Sequence, residues 1–144
     1  MGETITKQSV SASQTNALID AAVKKATEIG ISISICIVDE SGLEKAFLRM
    51  DGAALISIET ARKKARLAVG FGMATGTPWH EFAQDDPILQ QGVHDLPGFI
   101  LLGGGVPLYW EGSLIGAIGV SGGHYKMDEL CANAASEILS RKDE

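Results

Sequence analysis

Three histidines, His80, His94 and His124, are the residues of this 144-residue chain best suited to chemistry. All three lie in irregular sequence or where a loop meets a helix, and loop residues carry function more often than core residues do. A neutral imidazole serves as a general acid or base near neutral pH, or as an axial ligand to a metal. The alternative is three unrelated surface histidines, and the sequence leaves both interpretations open.

The histidine spacing gives little support to a metal site. The segment "HEFAQ", which begins at His80, lacks the second histidine of an HExxH zinc helix. The interval from His80 to His94 does not match a zinc finger either. A three-histidine site assembled in space stays open as an alternative, but no metal is predicted.

Further candidate binding residues flank the same loops. In "RMDGA", Arg49 could grip a ligand carboxylate with two hydrogen bonds while Asp51 orients it, or the two could form a structural pair at a strand end. Trp79 and Tyr125 could line a pocket for a flat apolar ligand. Core filling or subunit packing is the ordinary alternative for these aromatic side chains.

Two other motifs allow a structural and a functional interpretation. The basic run "ARKKAR" places Arg62 and Arg66 on one helix face; it suits small acids, although such runs are usually solvated. The letters "GVSGG" around Ser121 match a serine nucleophile elbow, but the surrounding hairpin pattern does not supply its strand–turn–helix setting. Asp128 and Glu129 place negative charge at the following helix start, which disfavours an anion there.

Composition limits the class of protein. Hydrophobic residues make up 45% and charged residues 21%, which is typical of one soluble globular domain over residues 1–144. A net charge of −6 argues against nucleic acid as a partner. No apolar run suggests a membrane span or a secretion signal. With only two cysteines, Cys36 and Cys131, we expect reduced thiols and a cytoplasmic protein.

Periodicity indicates the elements that must position these residues. Helical spacing runs over 10–29, and alternation over 31–50 predicts an antiparallel hairpin. A second helix follows, with Ser57 as its predicted N-cap. Thr77-Pro78 and Asp86-Pro87 predict two short helices, each with a cap followed by proline. Three strands over 99–120 and a last helix over 127–142 complete an α+β fold with a mainly antiparallel sheet.

Several blocks of sequence resemble the GlcG/HbpS family, also called the haem-degrading domain family, which includes the C-terminal domain of PduO. These blocks are "VDESG", "RMDGA", "ARKKARLA", "GGGVPLYWEGSLIGAIGVSGG" and "DELCANA". The resemblance implies a profilin-like domain with a five-stranded antiparallel sheet, homo-oligomers that are often octamers, and haem as a ligand. In the PduO-like branch a histidine of the first helix binds haem; the first helix here has none, so that role is not carried over.

Three functions remain as hypotheses. The first is an oligomeric small-molecule-binding protein, with haem or another flat or carboxylated ligand held near a subunit interface. The second is a cofactor-independent isomerase, hydrolase or lyase that acts on a small carboxylated metabolite, with a histidine as acid or base. The third is an accessory protein whose oligomer is its function.

Overall fold

A computed structural model describes residues 2–140 of the chain. Helices and strands follow the predicted order except for one strand near residue 99, and a short 3₁₀ turn lies at Val93–Asp95. The elements are α1 (Ala12–Ile29), β1 (Ser34–Asp39), β2 (Glu44–Arg49), α2 (Ser57–Phe71), α3 (Thr77–Phe82), α4 (Pro87–Gly92), β3 (Gly105–Trp110), β4 (Ser113–Ser121) and α5 (Tyr125–Ser140).

The described strands form one antiparallel sheet in the order β2-β1-β4-β3. Helices α1 and α5 pack against each other on one face of this sheet, and α2 covers the other face. The fold is therefore α+β, as predicted, with helices on both sides of an antiparallel sheet.

Strand β1 shows why the sheet is covered on both faces. Its side chains alternate, so that Ile35 and Ile37 enter the core beneath α1 and α5, while Cys36 and Val38 enter the core beneath α2. All four side chains are buried. The strand therefore has two interior faces, and Cys36 and Val38 face the helix layer formed by α2.

Helix α2 lies unusually close to the sheet because its inner face carries small side chains. Ala61, Ala65 and Ala68 are buried against β4 and β1. At the facing position Gly119, an added Cβ would collide with the carbonyl oxygen of Ala61. This stripe of small side chains is thus a helix–sheet contact.

The prediction of a fifth strand is wrong. Within the described residues the sheet has four strands, and residues 99–102 form no ladder with any of them. Phe99 packs instead on the ring of Trp79, which draws this segment away from β3 and towards α3. Leu101 and Leu102 consequently remain exposed.

Two of the predicted helix caps are also wrong, and one is confirmed. Ser57 is the first residue of α2 and not its cap, because its hydroxyl hydrogen-bonds Ser34 and the carbonyl of Ala54. Gly76, and not Thr77, occupies the N-cap of α3. Asp86 caps α4 as predicted, since its carboxylate accepts from the Leu89 N–H at 3.0 Å.

Both cysteines are buried and free, in agreement with the prediction of reduced thiols. Among residues 2–140 no helix is long and apolar enough to cross a membrane. The end of the predicted last helix, residues 141 and 142, lies outside the described residues.

Candidate functional site

A shallow pocket opens where α3 faces the start of α5. Its volume is about 240 Å³, and its lining is mostly apolar. The lining residues are Gly76, Thr77, His80, Leu101, Leu102 and Tyr125. Two of the residues predicted from the sequence, His80 and Tyr125, therefore meet in one pocket, although 45 positions separate them in the chain.

An aromatic cluster behind α3 supports the wall of this pocket. Trp79 is only 6% exposed, and its ring centroid lies 4.9 Å from that of Phe71, 5.6 Å from Phe82 and 5.7 Å from Phe99. Trp79 thus anchors α3 by packing and does not line the pocket itself. Its neighbour His80 is exposed and lines the pocket.

The other two histidines lie at the edges of this region. The ring of His124 packs on Tyr125 with centroids 4.4 Å apart, and its Nδ1 accepts from the Lys126 N–H at 3.2 Å. In the neutral imidazole this leaves the proton on Nε2. His94 packs edge-on against Phe99 at 5.4 Å. Neither histidine belongs to the lining of the pocket.

Arg49 and Asp51 lie elsewhere, at and beyond the end of the edge strand β2. Both side chains are exposed, and neither lines the pocket that contains His80. The ion pairs of the described residues do not join them to each other. This position neither closes the strand with a salt bridge nor adds a carboxylate clamp to the pocket.

The basic residues of α2 lie in three environments: one is ion-paired, two border a groove, and one, Lys64, is buried. Arg62 forms ion pairs with Glu44 and Glu59, each at 2.8 Å, and stacks on Phe47. Its hydrogen bond lowers the pKa of the Glu44 carboxyl. Arg66, with Lys63, borders a separate open groove of about 510 Å³.

Lys64, in the middle of the same run, is buried, which the sequence analysis missed. The residue is 1% exposed, and its Nζ lies 3.1 Å from Asp128 Oδ2 and 2.9 Å from the carbonyl oxygen of Val120. Asp128, also 1% exposed, accepts from the Gly123 N–H at 2.9 Å. Asp128 is therefore half of a buried ion pair and not a solvated charge at the helix start.

Burial is the main influence on the titration of this ion pair. It lowers the pKa of Lys64 and raises the pKa of Asp128, since both charged forms lose their water, and the mutual attraction of the two groups only partly opposes these shifts. Lys64 connects α2, the end of β4 and α5 at one point. The ion pair thereby fixes the turn between Ser121, where β4 ends, and Tyr125, where α5 begins beside the pocket.

Glu129, the residue after Asp128 on α5, joins that helix to α3. One of its carboxylate oxygens accepts from the Thr77 N–H at 3.1 Å and from the Thr77 hydroxyl at 3.2 Å. The carboxylate runs so close to Gly76 and Gly103 that a Cβ at either position would collide with it. This contact sets the distance between the two helices that border the pocket.

The chemistry available in the pocket is that of one imidazole and one phenol beside an apolar surface. Across residues 2–140 no cluster of three or more histidine, cysteine or acidic side chains could hold a metal ion. His80 could serve as an axial ligand to a metal that a flat organic ligand carries, because such a metal needs only one or two protein donors. It could also act as a general acid or base.

Comparison with known proteins agrees with this architecture. The corrinoid adenosyltransferase PduO of Citrobacter freundii is 35% identical over 139 residues, which cover 92% of this chain and 39% of PduO. This chain therefore spans well under half of that enzyme. The crystal structure of Klebsiella pneumoniae ORFY superimposes with a TM-score of 0.86 at 30% identity, covering 97% of both chains.

A second solved structure, a PduOC:Heme complex, superimposes with a TM-score of 0.79 at 34% identity, covering 90% of this chain and 94% of the other. Residues 10–137 match the model of the family described as haem degrading protein HbpS-like. That match spans nearly all of the described fold, from two residues before α1 to the last turn of α5. The chain belongs to the HbpS-like family.

Proposed function

We propose that the pocket between α3 and α5 binds the apolar edge of a flat, carboxylated ligand, and that haem is the first candidate. The observation that carries this proposal is the position of His80 beside an apolar surface formed by Leu101, Leu102 and Tyr125. An apolar surface with one or two well-placed polar groups is the usual composition of a small-molecule site. A PduOC:Heme complex among the similar structures supports haem as the ligand to test first.

The residues fit haem in part. His80 would hold the iron, Tyr125 and the two leucines would hold the apolar part of the group, and the bound iron would supply redox or ligand-binding chemistry. The pocket volume of about 240 Å³ lies below the ~300–1,000 Å³ of typical ligand sites, so one protomer encloses only an edge.

A second subunit would cover the remaining surface of the ligand. Leu101 and Leu102 are 44% and 50% exposed at the mouth of the pocket. Phe82 is also exposed, on α3, the helix that carries His80. Apolar side chains grouped in this way favour contact with a partner surface. We therefore include a homo-oligomer in the proposal, with the octamer as the state to test, and a reduced cytoplasmic setting, which the free cysteines support.

A haem titration followed by Soret absorbance tests the proposal. Wild-type protein should give a saturable Soret shift that His80→Ala abolishes or weakens strongly. His94→Ala is the matched control, because its imidazole packs on Phe99 outside the pocket. No shift at micromolar haem, or equal shifts in all three proteins, would remove haem ligation by His80.

Light scattering tests the oligomer. The expected mass is that of several 15.2 kDa subunits. Addition of haem should increase this mass or stabilise the oligomer. A monomer both with and without haem would contradict a site shared between subunits.

A further inference from the structure

Glu129 on α5 contacts Thr77 on α3. The two residues come from helices that are 52 positions apart in the chain, and the contact joins a carboxylate to a backbone N–H and a hydroxyl at once. Hydrogen bonds to an ionised acceptor are roughly twice as strong as neutral ones. A single side chain on α5 therefore makes the main polar attachment between α5 and α3.

Helix α3 depends on this attachment because it cannot cap itself. It has six residues, and its N-cap is Gly76, which offers no side-chain acceptor. The free N–H groups of a first turn need a partner, and a carboxylate there also meets the positive end of the helix dipole. Glu129 supplies that carboxylate from outside the helix.

The surrounding backbone leaves space for this one side chain. Gly76 has φ 82° and ψ −128°, a conformation that only glycine adopts readily. At Gly103 an added Cβ would collide with the Glu129 carboxylate. Lys64 lies near enough for the charge of Glu129 to raise its pKa against the effect of burial. The carboxylate is thus held closely against the backbone at Gly76 and Gly103.

We propose that Glu129 is the positioning residue of the pocket: by holding Thr77 it fixes α3, and with it His80, at a set distance from Tyr125. Because Tyr125 and Glu129 lie one turn apart on α5, the same helix presents one pocket wall and holds the other. The effect of Glu129 on ligand binding rests on the proposed function, whereas its effect on the position of α3 does not.

Trp79 gives a readout of α3 that needs no ligand. In a Trp110→Phe background its emission is the only tryptophan signal, and acrylamide quenching reports how often the buried ring is exposed. Loss of the two bonds in Glu129→Ala should raise the population of detached α3 by about tenfold, with a matching rise in the quenching constant. Glu129→Gln keeps an acceptor oxygen but loses the charge, so its quenching constant should lie between those of wild type and Glu129→Ala.

Lys126→Ala, an exposed change on the same helix, is the control for effects on α5 itself, and circular dichroism confirms that each variant is folded. Unchanged quenching in Glu129→Ala would overturn the inference. Equal increases in Glu129→Gln and Glu129→Ala would also overturn it, because the contact would then not depend on the acceptor.

Two porphyrins separate this inference from the proposed function. Glu129→Ala should weaken the binding of haem and of metal-free protoporphyrin by the same factor, about tenfold, because both ligands contact the same pocket wall. His80→Ala should weaken the binding of haem alone. If neither porphyrin binds wild-type protein, the proposed ligand is wrong and the quenching result alone decides the role of Glu129. Porphyrin binding that stays unchanged in Glu129→Ala contradicts the positioning role.

Discussion

Replacement of Lys64 by methionine is the sharpest test of what holds the α2–β4–α5 corner together. At the observed Nζ–Oδ2 distance of 3.1 Å, the attraction between Lys64 and Asp128 is about 5 kcal/mol at an effective dielectric constant of ~20. Burial of the two charges costs a similar amount, so the intact ion pair adds little net stability. Removal of the lysine charge alone leaves the Asp128 carboxylate buried without compensation, which costs about 3–5 kcal/mol.

The free energy of unfolding, measured by urea denaturation at pH 7 and one fixed protein concentration, gives the result directly. Lys64→Met should lose about 3–5 kcal/mol. The double variant with Asp128→Asn should recover most of that loss, because asparagine can still accept from the Gly123 N–H and leaves no buried charge. A loss below about 1 kcal/mol in Lys64→Met, or no recovery in the double variant, would refute this account of the corner.

Two further predictions concern the backbone at the pocket and the buried thiols. Gly76→Ala should lower the unfolding free energy by at least about 1–3 kcal/mol, because its φ of 82° disfavours a side chain and the Cβ would collide with Gly103. Gly92→Ala, at φ −65° with open space around it, is the control and should cost nothing; equal losses would show that the Gly76 conformation is not special. Burial raises the pKa of the Cys36 thiol from 9.0 to about 12, so the folded state keeps a proton that the unfolded state releases. The stability that this provides is complete below pH 9 and is lost as the pH rises from 9 towards 12, by about 1.4 kcal/mol per pH unit. Denaturation at pH 9 and pH 10 should therefore show a shallower decline in Cys36→Ala, and parallel declines would contradict the burial argument.

Most of the fold could be predicted because hydrophobic periodicity records it directly. The alternation of Ile33, Ile35 and Ile37 marks β1, and the capping box of Ser11 with Gln14 begins α1 within two residues of the predicted start. The prediction of a fifth strand failed because residues 99–102 are as apolar as a buried strand. Their side chains instead cover α3 and border the pocket, a tertiary preference that local composition does not record.

The buried ion pair left a signal in the sequence that composition alone hides. Lys64 stands three residues after Ala61 and four before Ala68, which places it on the buried stripe of α2. Asp128 likewise stands three residues before Cys131 on the buried stripe of α5. A charged residue at the buried phase of a helix needs a partner of opposite charge, whereas the charge run was interpreted as one solvated face.

The pocket itself could be predicted only in part. His80 and Tyr125 were identified from residue type, and their meeting depends on how residues 73–98 fold over the sheet end, which no local rule gives. Arg49 was included for its chemistry, although the hairpin carries it to an exposed strand end outside the pocket lining.

The location of bound iron tests the central proposal most directly. Crystals of the protein grown with haem and measured at the iron absorption edge would show the metal as a single anomalous peak in each site. The account predicts that peak within coordination distance of the His80 imidazole, in the pocket beside Tyr125. A peak at His124, at His94 or in the groove beside Arg66 would contradict it.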